Sequence, residues 1–261
     1  MGERTEHAPG TFSWAELQTT DLEGAKRFYG ELFGWEPEDV PVGDGQTYTM
    51  LRLGGKEVAA MYEQGEDQRQ QGIPPNWLSY VTVDDLDARA ARVDELGGSA
   101  IMPPFDVMEV GRMAVLQDPG AAVFAMWEPK TSIGATVVND PGAMTWNELR
   151  TRDVDGATAF YGGLFGWKIE PTEGADGSYF TIRNGERLNG GVIPISEDWA
   201  PVPPHWAVYF TVPDADEAIA RIEELGGRVQ MAPIEVPAGR FAGVADPQGA
   251  SFSLFEGETE D

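Results

Sequence analysis

The apolar positions of this chain follow two rhythms, one of strands and one of helices. Aromatic and β-branched residues crowd together in Tyr80-Val81-Thr82-Val83 and Tyr209-Phe210-Thr211-Val212, which predicts strands. Ala25, Phe28, Tyr29, Leu32 and Phe33 instead recur at helical spacing and form one apolar face. Asp21, Asp85, Asp153 and Asp214 stand where a helix N-cap belongs. Gly34 and the Gly97-Gly98 pair supply stop signals. Shorter strand-like runs follow at 46–52, 57–62, 112–116 and 122–127. The resulting unit is β-α-β-β-β, and it occurs four times, at about 12–63, 76–128, 144–193 and 204–256. Strands mixed with one helix per unit place the chain in the α+β class.

The four units are two copies of a pair. Residues 14–35, WAELQTTDLEGAKRFYGELFGW, align without a gap to 146–167, WNELRTRDVDGATAFYGGLFGW. Residues 77–128 repeat in 206–256 with one residue fewer in the second copy. A repeat this long is architectural. It divides the chain into an N-terminal tail (1–11), a first domain (12–128), a linker (129–143), a second domain (144–256) and an acidic C-terminal tail (257–261). The linker, PKTSIGATVVNDPGA, is too short and too apolar to be a loose tether. Such a duplication lets one chain mimic a dimer, so a monomer or a homodimer is expected. Modules 1 and 2 are expected to share one sheet and modules 3 and 4 the other; the pairing of 1 with 4 and 2 with 3 is the alternative.

Composition narrows the chemistry. A length of 261 residues suits two domains of ordinary size. No apolar run is long enough for a membrane span, and the first residues lack the apolar core of a secretory signal. Cysteine is absent, which removes disulfides, thiolate nucleophiles and Cys-based metal sites. A net charge of −26 opposes nucleic-acid binding, which needs Lys and Arg to neutralise phosphate. The same charge would steer a cationic ligand toward the protein. Neither a phosphate-binding Gly-rich loop nor a G-x-S-x-G elbow occurs. The expectation is a cytoplasmic protein whose partner is a small molecule, with no nucleic acid and no membrane.

At this point the residues resemble a known superfamily. The run D-x-x-x-A-x-x-F-Y-x-x-L-F-G-W after an opening strand, V-x-D-x-D-A, and D-P-x-G-A before a final strand are similar to the vicinal oxygen chelate (VOC) superfamily. That superfamily holds glyoxalase I, extradiol dioxygenases and bleomycin-resistance proteins. The resemblance is strongest to tandem, two-domain actinobacterial proteins of the hydroxylase or secreted-antigen type. It implies two tandem VOC domains, in which βαβββ modules form cup-shaped mixed sheets, each cup enclosing a site. It also implies where a family metal would be held: at Trp14, Leu78 and Ala125 in one half, and at Trp146, Ala207 and Ser253 in the other. None of these binds a divalent ion well, and a catalytic site needs about three N, O or S ligands from the protein. No metal and no other cofactor is therefore expected.

The candidate site residues follow from strand parity. Trp14, Tyr80 and Trp127 in the first half, and Trp146, Tyr209 and Phe255 in the second, could line the cups. Glu16 and Glu148 share the face of Trp14 and Trp146 and are the candidate catalytic bases, their pKa raised by an apolar wall. A buried carboxylate needs a partner, and Arg112 and Arg240 are the expected ones, at matched positions in the two halves. Asn76 and His205 occupy equivalent positions and are where the cups visibly differ; His205 either reaches a ligand or caps the Pro203-Pro204 turn. Tyr29 and Tyr161 read as helix packing. The functional expectation is metal-independent binding of a small organic, cationic or aromatic molecule in one or both cups. The alternative is a glyoxalase-, hydroxylase- or dioxygenase-like enzyme that uses a cup carboxylate or an external cofactor.

Overall fold

The computed structural model describes residues 2–43, 45–196 and 202–259; Met1 and the end of the acidic tail lie outside them. The first half runs β1 (Phe12–Thr19), α1 (Leu22–Phe33), β2 (Glu36–Pro41), β3 (Thr47–Leu53), β4 (Lys56–Glu63), α2 (Glu66–Gln70), β5 (Asn76–Thr82), α3 (Leu86–Glu95), β6 (Ser99–Val107), β7 (Gly111–Gln117) and β8 (Val123–Pro129). The second runs β9 (Met144–Thr151), α4 (Val154–Phe165), β10 (Lys168–Pro171), β11 (Phe180–Asn184), β12 (Arg187–Pro194), β13 (His205–Thr211), α5 (Ala215–Glu224), β14 (Arg228–Val236), β15 (Gly239–Ala245) and β16 (Ser251–Gly257). The N-cap aspartates act as their positions imply. Asp21, Asp85, Asp153 and Asp214 accept from the backbone N–H groups of Gly24, Ala88, Gly156 and Glu217.

Among the described residues the strands form two eight-stranded mixed sheets, ordered β2-β3-β4-β1-β5-β8-β7-β6 and β10-β11-β12-β9-β13-β16-β15-β14. Modules 1 and 2 thus share one sheet, and modules 3 and 4 the other. The strands that join the modules, β1 and β5 or β9 and β13, run antiparallel at the centre of each sheet.

Alternation along those central strands separates two faces. Ala15, Leu17, Trp77 and Val81 are buried on one side of the first sheet, and Leu149, Trp206, Val208 and Phe210 on one side of the second. These sides face each other across the molecule, where Ser79 Oγ donates to Asn147 Oδ1 at 2.6 Å. Helices α1 and α4 are wedged between them. Phe33 of α1 packs on Phe210 of the opposite half at 5.3 Å, and Tyr161 of α4 packs on Phe124 at 5.6 Å. The halves therefore share one apolar core, and the cups open on the outer faces.

Pseudo-symmetric hydrogen bonds tie this core. Trp77 Nε1 donates to Tyr29 OH at 3.0 Å, and Tyr29 OH donates to Asp246 Oδ2 of the other half at 3.1 Å. Trp206, Tyr161 and Asp118 repeat the relay at 2.8 and 2.9 Å. Trp35 Nε1 donates to Gly142 O at 2.7 Å, while Trp167 Nε1 donates to Gly10 O at 2.8 Å. Gly10 and Gly142 both have φ of 81°, a left-handed conformation that glycine adopts without the Cβ penalty. Tyr29 and Tyr161, read from sequence as packing alone, thus also carry polar links between the halves. The linker adds backbone bonds, from Ala135 N to Ser13 O and from Gly142 N to Thr211 O, both at 2.8 Å. The N-terminal tail is pinned along it, with Glu3 bridged to Val137 and His7 Nε2 2.8 Å from Ala135 O. No helix among the described residues is long and apolar enough to cross a membrane.

Candidate functional site

The outer face of the first sheet places Trp14, Glu16 and Gln18 of β1 opposite Tyr80, Leu78 and Asn76 of β5. Ala60 and Tyr62 of β4 lie beside Glu16 and Gln18, and Tyr48 of β3 lies beside Tyr62. Ala125 and Trp127 of β8 continue the face on the other side. Glu16 sits at its floor, 8% exposed. Tyr48 OH donates to Glu16 Oε2 at 2.7 Å, and Tyr80 OH donates to Oε1 at 3.0 Å. Trp14 Nε1 donates to Tyr48 OH at 3.3 Å. Burial pushes the Glu16 carboxyl up, and the two tyrosine hydrogen bonds oppose that only in part. Burial first, and the nearby Glu16 carboxylate second, favour the phenol form of the tyrosines: Tyr48 and Tyr80 are raised well above their ordinary value, and Tyr62 is pushed up to about 12. Tyr48, Met50, Tyr62, Leu78, Phe105, Met113 and Val115 are half-buried on this face.

The second cup repeats the frame with different contents. Tyr209 OH donates to Glu148 Oε1 at 2.8 Å, and Trp146 Nε1 donates to Tyr179 OH at 3.0 Å. Arg150 Nε stands 3.5 Å from Glu148 Oε1. Burial pushes the Glu148 carboxyl up, and Arg150 and Tyr209 hold it back. Arg150 occupies the position of Gln18, and Ile193 that of Tyr62. An open depression of about 420 Å³ lies at this end, lined by Asp176, Gly177, Ser178, Ile193, Pro194 and Ser196.

The structure separates the candidate residues. Trp14, Glu16, Tyr80 and Trp127 share one cup face, and Trp146, Glu148, Tyr209 and Phe255 share the other. Trp127 is partly spoken for, since its Nε1 donates to Ser132 O at 2.9 Å. The expected Glu–Arg pairs do not form. Arg112 lies on the helix side of β7, bonded to Asp87 at 2.8 Å and near Asp106 and Glu128. Arg240 likewise binds Asp216, Glu235 and Glu256. Strand parity explains the error: Arg112 pairs with Glu128, one position out of phase with Trp127. Asn76 and His205 turn out alike rather than different. Asn76 Nδ2 donates to Pro74 O, and His205 Nδ1 lies against Pro203 O, each at 2.8 Å. Both tie down the turn that precedes their strand. The residues missed from sequence are Tyr48, Gln18 and Arg150. Gln18 and Arg150 are one of two differences between the matched strands WAELQ and WNELR, so the signal was present.

The positions at which the superfamily would place metal ligands do come together. Trp14 is paired with Tyr80, Leu78 with Glu16, and Ala125 with Tyr80; Ala207 and Ser253 flank Glu148 and Tyr209 in the same way. Their side chains are an indole, an isobutyl and a methyl in one cup, and an indole, a methyl and a hydroxyl in the other. This donor set does not fit a divalent ion. Among the described residues, no three His, Asp or Glu side chains are grouped to hold one.

Comparison with known proteins agrees with this architecture. Residues 11–126 match the family model of the Glyoxalase/Bleomycin resistance protein/Dioxygenase superfamily, and residues 146–255 match that of a glyoxalase-like domain. CFP32 of Mycobacterium tuberculosis (strain CDC 1551 / Oshkosh), which carries a provisional glyoxylase name, is 42% identical over 98% of both chains. The anthracycline biosynthesis protein DnrV of Streptomyces peucetius is 38% identical over 97% of this chain and 95% of its own. Among solved structures, the 2,3-dioxygenase LapB from Pseudomonas sp. KL28 superposes with a TM-score of 0.66 at 13% identity, covering 98% of this chain and 95% of that one. The Mn(II)-bound glyoxalase from Novosphingobium aromaticivorans gives 0.65 at 16% identity, covering 96% and 84%. At such identities these two show the fold alone. Two βαβββ pairs, a cup in each, and full-length relatives together establish that this chain belongs to the glyoxalase/bleomycin resistance protein/dioxygenase (VOC) superfamily, as a tandem two-domain member.

Proposed function

We propose that this protein binds a flat aromatic small molecule in its first cup without the help of a metal. The observation that carries the reading is Glu16, a single buried carboxylate at the floor of a cup walled by Trp14, Tyr48, Tyr62 and Tyr80. Aromatic walls with a few placed polar groups suit a flat organic ligand. A carboxylate has about four acceptor positions and the tyrosines use two, which leaves room for a ligand hydroxyl or ammonium. The donor-poor residues at Trp14, Leu78 and Ala125 support a site that works without a divalent ion. Relatives named for anthracycline biosynthesis point the same way, because anthracyclines are polycyclic aromatics.

The test is calorimetric titration of the protein with 1,8-dihydroxyanthraquinone. Saturable binding that weakens about tenfold in Glu16→Gln, the loss of roughly one charge-assisted hydrogen bond, is the outcome the reading requires. Binding unchanged in that variant would remove Glu16 from the site. A second reading, proton transfer by Glu16, is favoured by the burial that raises its carboxyl and by the hydrogen-bonded tyrosines beside it. It requires a bound ligand to be converted, with the conversion lost in Glu16→Gln while binding of the product persists.

A further inference from the structure

The two cups share a frame but not a charge. In the first, the described partners of Glu16 are two phenols, and Gln18 is held by Gln68 Nε2 at 2.7 Å with Tyr62 OH at 3.4 Å. In the second, Glu148 faces the guanidinium of Arg150, and an isoleucine replaces the fourth aromatic. A carboxylate among several aromatic rings is the chemistry that recognises organic cations, since each ring face adds its own attraction to the Coulomb term.

We propose that the duplicated cups have diverged in the head group they accept: the first takes an organic ammonium ion joined to an aromatic body, seated on Glu16 among Trp14, Tyr48, Tyr62 and Tyr80, and the second does not. This rests on the reading of the cups as small-molecule sites. A cation in the first cup offsets the desolvation of a buried carboxylate, which no described protein cation now does. A cation in the second meets Arg150, and like charges brought together without water repel. The surface field of a chain with net charge −26 favours the encounter.

The probe is (2-naphthylmethyl)trimethylammonium, whose charge does not depend on pH, titrated calorimetrically beside uncharged 2-naphthol. One equivalent of the ammonium per chain is expected for the natural protein. Gln18→Arg, which copies the second cup into the first, should weaken it at least about tenfold, a difference of about 1.4 kcal/mol, and leave 2-naphthol unaffected. Arg150→Gln should create a second, weaker equivalent. Far-UV circular dichroism and urea midpoints establish that each variant folds. Two equal equivalents in the natural protein, or an ammonium affinity untouched by Gln18→Arg, would overturn the proposal while 2-naphthol binding left the cup reading intact. If neither compound bound, both would fall.

Discussion

Replacing Tyr29 by Phe removes one oxygen and keeps the ring. The ring stays between Trp35 at 5.6 Å, Trp77 at 5.3 Å and Phe252 at 5.6 Å, so little apolar burial is lost. Two hydrogen bonds vanish. The bond to Asp246 is charge-assisted, and such bonds contribute about 1.5–3 kcal/mol. The bond from Trp77 Nε1 is neutral, but its loss strands a buried donor at a cost of about 1–3 kcal/mol. Asp246 keeps backbone N–H donors from Gln248, Gly249 and Ala250, which limits the damage on that side. The combined loss is therefore about 2–4 kcal/mol. Urea unfolding at equilibrium should show it as a lower midpoint with an unchanged slope. Tyr161→Phe should match it, because Trp206 and Asp118 reproduce the geometry. Since both halves share one apolar core that the variants keep, both should still unfold in one transition. A loss under about 0.5 kcal/mol, the range of an ordinary surface substitution, would refute the view that these relays fasten the two sheets back to back.

Glu16→Gln should stabilise the protein, increasingly so as pH rises. Folding raises the Glu16 carboxyl above its ordinary 4.5, so the folded state holds the proton more tightly. The stability that this group contributes is complete below the unfolded pKa and is lost as pH climbs through the folded one. The gain in the variant therefore opens above about pH 4.5 and grows by about 1.4 kcal/mol per pH unit until the folded pKa is passed; thermal unfolding from pH 4 to 8 measures it, and a gain that shrank with pH would contradict it. Arg112→Met should leave 1,8-dihydroxyanthraquinone affinity unchanged, because Arg112 faces Asp87 and not the cup; a loss of binding on calorimetric titration would put that residue back in the site.

Much of the fold could be read before the structure. The N-cap aspartates, the apolar stripe from Ala25 to Phe33 and the alternation in Tyr80–Val83 are local signals, and local signals survive folding. The duplication gave the two-domain plan directly. What sequence could not show was the back-to-back arrangement, since α1 buries its stripe against the other half as well as its own. That is why the hydroxyls of Tyr29 and Tyr161 passed as inert. The site was legible in part. Parity along β1 placed Trp14 and Glu16 on one face, but the partners of Glu16 come from β3 and β5, whose register depends on pairings many residues apart. Arg112 was misassigned by a single strand position. Asn76 and His205 differ in sequence but both cap turns; the contrast between the cups lies two residues beyond the glutamates, at Gln18 and Arg150.

Whether an aromatic ligand is held in a cup without a metal is decided by one calorimetric experiment. Protein stripped with chelator and dialysed into metal-free buffer is titrated with 1,8-dihydroxyanthraquinone. The same affinity and stoichiometry as for untreated protein are expected. Binding that disappeared on stripping and returned with one equivalent of Mn(II), Fe(II), Ni(II) or Zn(II) per domain would contradict binding without a metal.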